Sequence, residues 1–387
     1  MLHIIHVTCS TGFYGAERML VELTAGIRSR GWRTMIVNLG DEGEDLLEAA
    51  RRANVPAISL VCRGRYDARA VRLLRQLVIE ERTPLVHSHG YKADFFTFAA
   101  RPPACGVLAT CHNWPGSTLP LKFYGWLDRR ILRGFDRVVA VSEDVMKSLF
   151  QARIRSEKIS LIPNGITRAA ATGVDPLALV CARQELGIER NQRVALAVGR
   201  LSPEKGFEVL INAWRAVQTV AGPVKLIIAG GGPLQSRLEQ RVARLGLNGM
   251  VMVTGVRRDI PALLAISDVF VMPSLTEGVS MALLEAMDSR TPVVATWTGG
   301  IPFVTGNEAI LVPPGNDMAL AAGLIQAFNN PGQAQAMASR AEKRVVTMFS
   351  ASGMIQKYMA LYDEVLKALG IDIDARANPV TTEAARL

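Results

Sequence analysis

Short apolar runs alternate with segments of helical period along this chain, and the alternation occurs twice. In the first half the strand candidates are LHIIHVTC, TMIVNL, PAISLV, LVHSH, GVLATCH, RVVAVS and KISLIP. Amphipathic stretches such as GAERMLVELTAGIRSRG and ARAVRLLRQLVIEER lie between them. Apolar strands separated by helices of about 10–15 residues imply βαβ units and parallel sheets. Over residues 164–180 the pattern lapses into NGITRAAATGVDPLALV, which is small, polar and aperiodic and reads as a linker. The alternation restarts with RVALAVG, VKLIIAG, MVMVTG, DVFVMPS, TPVVAT and AILVPP. One helical stretch is expected over roughly 333–368, and the tail DIDARANPVTTEAARL reads as disordered. The expected fold class is α/β, with two doubly wound, Rossmann-like domains in series.

In such sheets ligands bind beyond the carboxyl ends of the strands, so the loops there carry the functional signal. After ALAVG comes RLSPEKGF, which puts Arg200 and Lys205 just before a helix. After LIIAG comes a Gly-Gly-Gly-Pro turn that also opens a helix. Cations and free helix amides beside glycines suit a diphosphate. The stretch EGVSMALLE, residues 277–285, follows DVFVMPS. Glu277 and Gly278 fall in a loop, Ser280 is placed as an N-cap, and the amides of Met281 to Leu283 are then open to an anion. Glu277 and Glu285 flank that helix start, and a carboxylate is a double acceptor matched to vicinal hydroxyls.

EGVSMALLE resembles the E-x7-E motif of retaining glycosyltransferases of the GT-B fold, family 4 in particular. AVGRLSPEKGF, IAGGGPL, DVFVMPSLTEG, PVVATWTGGIP and LVPPGN follow in that family's order, and GAER, VHSHGYKAD, VVAVSE and ISLIPNGI do so in the first half. The likeness covers roughly residues 1–365 and is closest in character to bacterial exopolysaccharide members. It implies an acceptor-binding domain over 1–165, a nucleotide-sugar domain over 166–350 facing it across a cleft, a helix over 351–368 crossing back to the first domain, and a tail over 369–387. It implies that Arg200 and Lys205 bind the donor diphosphate and that Glu285 holds the ribose. Glu277 would contact the donor sugar, with backbone from Gly278, Val279, Ser280, Met281 and Ala282. Gly15, Gly199 and Gly231 would approach the diphosphate, and the base would pack near Val256 and Arg257. His112 would lie near the anomeric carbon. His89, Lys92, Asn113 and Trp114 are the acceptor candidates, with Asp94 beside Lys92. The chain departs from the family pattern at Tyr14-Gly15, where two glycines are usual, at Phe303, where a glutamate is common, and at Asp288-Ser289-Arg290, where small residues are common.

The resemblance implies transfer of a hexose-type sugar from a UDP- or GDP-type donor with retention of configuration. With Arg200 and Lys205 facing the leaving diphosphate, no cofactor and no metal are expected. The triplet DID at 372–374 lacks a preceding strand, and His87, His89, Cys111 and His112 lack the tight paired spacing of zinc ligands. Residues 113–137 mix Trp114, Phe123, Tyr124 and Trp126 with Lys122, Arg129, Arg130 and Arg133. Helical spacing puts Phe123, Trp126, Leu127 and Arg130 near one face, a mixture suited to a membrane interface. A lipid-linked or growing glycan acceptor in polysaccharide biosynthesis, and peripheral contact with anionic lipid, are therefore expected.

The net charge of +9 is uneven, with 23 Lys/Arg against 16 Asp/Glu in residues 1–165 (+7) and the remaining +2 beyond. That balance fits an anionic partner. No aromatic–basic module for nucleic acid accompanies it. Five scattered cysteines argue for a reducing compartment, and MLHIIHVTCS reads as a strand rather than a signal peptide. The expected location is cytoplasmic, extending to the inner face of the plasma membrane. GGGP is not a dinucleotide fingerprint, which weakens a dehydrogenase. A nucleotide-sugar epimerase and a non-catalytic nucleotide-sugar-binding protein share the fold and stand as alternatives.

Overall fold

The structure is a computed structural model and describes residues 3–10, 12–64, 66–112, 119–168 and 173–371. The chain divides into two compact units, one of Met1–Asn164 with Ala351–Leu387 and one of Gly165–Ser350.

The first unit holds seven parallel strands: β1 (His3–Thr8), β2 (Arg33–Leu39), β3 (Ala57–Leu60), β4 (Leu85–His89), β5 (Gly106–Cys111), β6 (Arg137–Ala140) and β7 (Ile159–Leu161). Their order is β3-β2-β1-β4-β5-β6-β7. Helices α1 (Gly15–Arg28), α2 (Glu44–Arg52), α3 (Ala68–Glu80), α4 (Tyr91–Ala100), α5 (Leu119–Ile131) and α6 (Glu143–Gln151) connect them. Every residue of β1, β4 and β5 is buried, as expected of strands covered on both faces.

The second unit holds α7 (Pro176–Glu185), β8 (Arg193–Val198), α8 (Phe207–Ala221), β9 (Val224–Ala229), α9 (Gln235–Arg244), β10 (Val251–Gly255), α10 (Ile260–Ala265) and β11 (Val269–Met272). It continues with α11 (Met281–Asp288), β12 (Val293–Thr296), α12 (Ile301–Thr305), β13 (Ile310–Val312), α13 (Asp317–Asn329) and α14 (Pro331–Met348). Its strand order is β10-β9-β8-β11-β12-β13, again a doubly wound sheet that reverses direction once. Trp214, Leu210 and Val217 of α8 and Leu320, Leu324 and Phe328 of α13 fill one side of its core. Both sheets are therefore parallel and Rossmann-like, with reversal points at β1/β4 and β8/β11.

Two expectations change. The linker reading fails at its end, because α7 begins at Pro176. Asp175 caps the amide of Leu177 at 2.9 Å, and proline at the first helical position is pre-set for a helix. Leu177 and Val180 are 66% and 49% exposed, so this helix shows no apolar stripe to read. The single helical stretch over 333–368 is two helices, α14 and α15 (Ala351–Ala368). They part at Phe349, which is buried and meets Phe303 edge-to-face at 5.7 Å. The carbonyl of Phe349 accepts from the Ile166 amide at 2.9 Å, and Ile166 and Ser350 form a parallel bridge. Helix α14 belongs to the second unit and α15 to the first.

Candidate active site

In the second unit the loops after β8 and β11, the strands flanking the reversal point, bring Lys205 and Glu277 together. The Lys205 ammonium donates to Glu277 Oε2 at 2.5 Å, and the Ser274 hydroxyl donates to the same oxygen at 2.9 Å. The side chains of Lys205 and Glu277 are 21% and 10% exposed, so the pair is largely withdrawn from water but reachable. The loop after β12 locks the backbone, with the Gly300 amide donating to the Glu277 carbonyl at 3.0 Å. Gly299 has φ +50°, and a Cβ there would sit 1.9 Å from that carbonyl oxygen. Only glycine allows this approach.

Ser280 caps α11, accepting from the Leu283 amide at 3.5 Å. The amides of Met281 and Ala282 keep no intrahelical acceptor, whereas that of Leu283, expected to be open, is taken by the cap. The side chains of Val279 and Met281 are buried, so these residues offer a ligand only their backbone, while Gly278 and Ala282 are half-buried. Glu285 is half-buried on the second turn of the same helix. Gly199, Gly231 and Val256 also converge. The Leu201 amide donates to the Gly231 carbonyl at 2.9 Å, and a Cβ on Gly231 would lie 2.7 Å from a Val256 methyl. Gly230, at φ +151°, passes so close to the Gly199 carbonyl that a Cβ would lie 1.9 Å from it. Val256 is 74% exposed beside this turn. The Arg257 guanidinium is committed to Glu185 and to Asp259, the latter at 2.6 Å, and both carboxylates raise its pKa. Arg200 is exposed in the first loop. Phe303 packs on Phe349.

In the first unit Gly15 starts α1 after an extended Tyr14, and the Glu17 carboxylate accepts from the Tyr14 amide at 2.9 Å. At the reversal point His6 of β1 and His87 and His89 of β4 gather, with His6 and His87 in register. His6 Nδ1 lies 3.2 Å from His89 Nε2. His87 Nδ1 meets the Tyr362 hydroxyl of α15 at 2.7 Å, its Nε2 meets the Thr110 hydroxyl at 2.8 Å, and Thr110 meets the Tyr358 hydroxyl at 2.9 Å. The ring of His112 stacks on that of His89 at 6.4 Å. Burial drives these imidazoles neutral: His6 falls to about 3, His112 to about 4, and His87 and His89 well below the usual value. His6, His87 and His89 each offer a nitrogen within 4.8 Å of the others, which is the grouping among the described residues able to hold a metal ion. It differs from the His87, His89, Cys111 and His112 set read from spacing, because His6 is distant in sequence. Both ring nitrogens of His87 already have protein partners, so coordination there would have to displace one. His89 is buried in this network and Lys92 stands one turn away in α4. Asp94 is buried and accepts from the Ser88 hydroxyl. Asn113, Trp114 and the 372–374 triplet lie outside the described residues.

The interfacial face expected on α5 divides. Trp126 is 46% exposed with the Arg130 guanidinium 4.4 Å above its ring, while Leu127 is half-buried. No helix among the described residues is long and apolar enough to cross a membrane.

Residues 13–169 match the family described as Glycosyltransferase Family 4, and residues 182–344 match Glycosyl transferases group 1. The Escherichia coli UDP-Gal:alpha-D-GlcNAc-diphosphoundecaprenol alpha-1,3-galactosyltransferase is 28% identical over 62% of this chain and 65% of its own. The alpha-maltose-1-phosphate synthase of Mycolicibacterium smegmatis is 27% identical over 74% of this chain and 80% of its own. The match spans about half to two-thirds of several other curated relatives, for example 49% and 57%. Among solved structures, Anabaena HepE in complex with UDP-glucose superposes with a TM-score of 0.81 at 24% identity, covering 94% of this chain and all of the other. A glycosyltransferase from Rickettsia africae gives 0.80 at 22% identity over 95% and 99%. These structures share the GT-B fold with this chain. Both halves of the sequence and both sheets thus lead to one assignment: the chain belongs to the group 1, family 4 glycosyltransferases.

Proposed function

We propose that this protein transfers a hexose from a UDP-sugar to an acceptor hydroxyl with retention, and that the acceptor is a lipid-linked or growing glycan in polysaccharide assembly. The observation that carries the reading is the Lys205–Glu277 pair beside the capped start of α11. Without ligand, each charge satisfies the other. A diphosphate entering beside Lys205 competes for the ammonium and releases the Glu277 carboxylate to sugar hydroxyls. Arg200, Lys205 and the amides of Met281 and Ala282 then face the leaving diphosphate as fixed positive charge and dipoles, the arrangement that stabilises a departing anion. Glu285 holds the ribose hydroxyls, and the exposed Val256 packs on the base. With this charge in place the reaction proceeds without a metal. His112, neutral and half-buried, orients a hydroxyl rather than removing its proton. The E. coli relative uses UDP-galactose and HepE binds UDP-glucose, which supports uridine as the base.

The test is release of nucleoside diphosphate from UDP-, GDP-, ADP- and dTDP-sugars, by wild type and Glu285→Ala, with and without chelator. UDP release by the wild type alone, unaffected by chelator, is the expected result. Epimerised donor without UDP release would establish the epimerase alternative. Unaltered activity in Glu285→Ala would remove the ribose assignment.

A further inference from the structure

A groove opens in the first unit between α4 and α5. Tyr91, Lys92 and Phe95 line it from the first turns of α4, which follows His89 at the end of β4. Tyr124, Leu127, Asp128 and Ile131 line it from α5 at spacings of three and four residues, one face of the helix. Tyr66, from the loop after β3, closes the rim and meets Phe95 edge-to-face at 5.0 Å.

Its chemistry is mixed in a particular way. Four walls are aromatic rings, yet five of the eight lining residues carry hydrogen-bonding groups: three phenols, one ammonium and one carboxyl. A hydrocarbon chain would offer the half-buried Lys92 ammonium no acceptor and would displace its water, which is costly. A flat ligand with an apolar face and a hydroxyl edge satisfies both kinds of wall. The groove is short, bounded by eight residues of α4, α5 and the loop after β3, which suits the face of a single ring rather than a long lipid. Behind the groove stands an independent feature. Asp128 is buried beside Asp94, which takes a short hydrogen bond from Ser88. Burial, and then the neighbouring Asp128, push the Asp94 carboxyl well above its usual range. A raised carboxyl holds its proton more readily, which eases the burial of two carboxyls side by side.

We infer that this groove is a carbohydrate subsite that binds a pyranose ring of the acceptor glycan, stacked among Tyr66, Tyr91 and Tyr124, with its hydroxyls on Lys92 and Asp128. The word acceptor rests on the proposed transferase reading, whereas sugar binding by the groove does not.

The experiment is saturation-transfer NMR on the full chain with the methyl glycosides of glucose, galactose, mannose and N-acetylglucosamine, with UDP and farnesyl phosphate as separate probes. The expected result is transfer to at least one glycoside, reduced at least fivefold in Tyr91→Ala and Leu127→Arg, with UDP transfer unchanged. Tyr66→Ala, at a rim position 54% exposed, keeps the test valid should a variant deeper in the groove misfold. Glycoside signals equal in wild type and all three variants would overturn the subsite. So would a groove-dependent signal from farnesyl phosphate with none from any glycoside, which would make the groove a lipid site. Loss of UDP binding in the wild type, with groove-dependent glycoside binding intact, would sink the donor reading and leave the sugar subsite standing.

Discussion

At the scale of single residues, local chemistry sets the EGVSMALLE stretch. Proline ends the strand at Pro273, a serine before an apolar helix caps it, and the glutamates fall where loop and helix place them. The Lys205–Glu277 pair was not legible, since 72 positions separate its members and no periodic pattern links two loops. Nor was the Asp94–Asp128 pair, which joins one helix to the next. A prediction follows from the first pair. Lys205→Met removes a cation that faces the leaving diphosphate, and it leaves the Ser274 hydroxyl donating to the Glu277 carboxylate. Turnover should fall by about 10²–10³, the usual cost of one preorganised charge-stabilising donor. Steady-state kinetics should show that loss in kcat, with the melting temperature little changed. A variant that retained kcat within about twofold would place the diphosphate elsewhere.

Among elements, alternation of strand and helix predicted both sheets, because buried parallel strands must be apolar along their whole length. Boundaries were harder. Asp175-Pro176 is a sound helix start, but an outward-facing apolar helix gives no stripe, and the α14/α15 break depends on Phe349 finding Phe303. The histidine cluster is a property of assembled elements, drawing on β1, β4 and α15. It makes a pH prediction with a definite sign. The folded pKa values of His6, His87, His89 and His112 lie below the ordinary value near 6.5, so the unfolded chain binds more protons below that pH. The stabilisation is complete above about pH 6.5 and is lost as pH falls toward the folded values, at about 1.4 kcal/mol per pH unit for each imidazole. Burial lowers His3 as well, and Asp94, whose carboxyl is raised, acts in the opposite sense with one proton against five. All five histidines lie in the first unit. Between about pH 6 and 4, hydrogen exchange should show β1, β4 and β5 losing protection while β8 and β9 keep theirs. Simultaneous loss in both units would show that these imidazoles do not control acid stability.

On the scale of the whole molecule, the chain leaves its first unit at Asn164 and re-enters it at Ala351. Contiguous sequence therefore does not correspond to a contiguous folding unit. Helix α15 places Tyr358, Leu361, Tyr362, Val365 and Leu366 in the core of the first unit, each at most 5% exposed, and packs along α1, where Ile355 fills the space beside Gly26. Burying five such side chains at about 1.5–3 kcal/mol each amounts to roughly 10 kcal/mol. That is as large as the whole stability of a typical domain, about 5–15 kcal/mol. The Thr110 hydroxyl and the His87 imidazole would also lose Tyr358 and Tyr362, respectively, as partners. A fragment of residues 1–164 should therefore fail to fold. The same fragment joined by a flexible linker to residues 351–371 should fold, and residues 165–350 should fold alone, since α14 and its own sheet complete that core. Dispersed amide spectra from the linked form and from 165–350, beside a collapsed spectrum from 1–164, are the expected outcome. A folded 1–164 fragment would mean that α15 covers a core already closed without it, and the area argument would then overstate what the returning helix contributes.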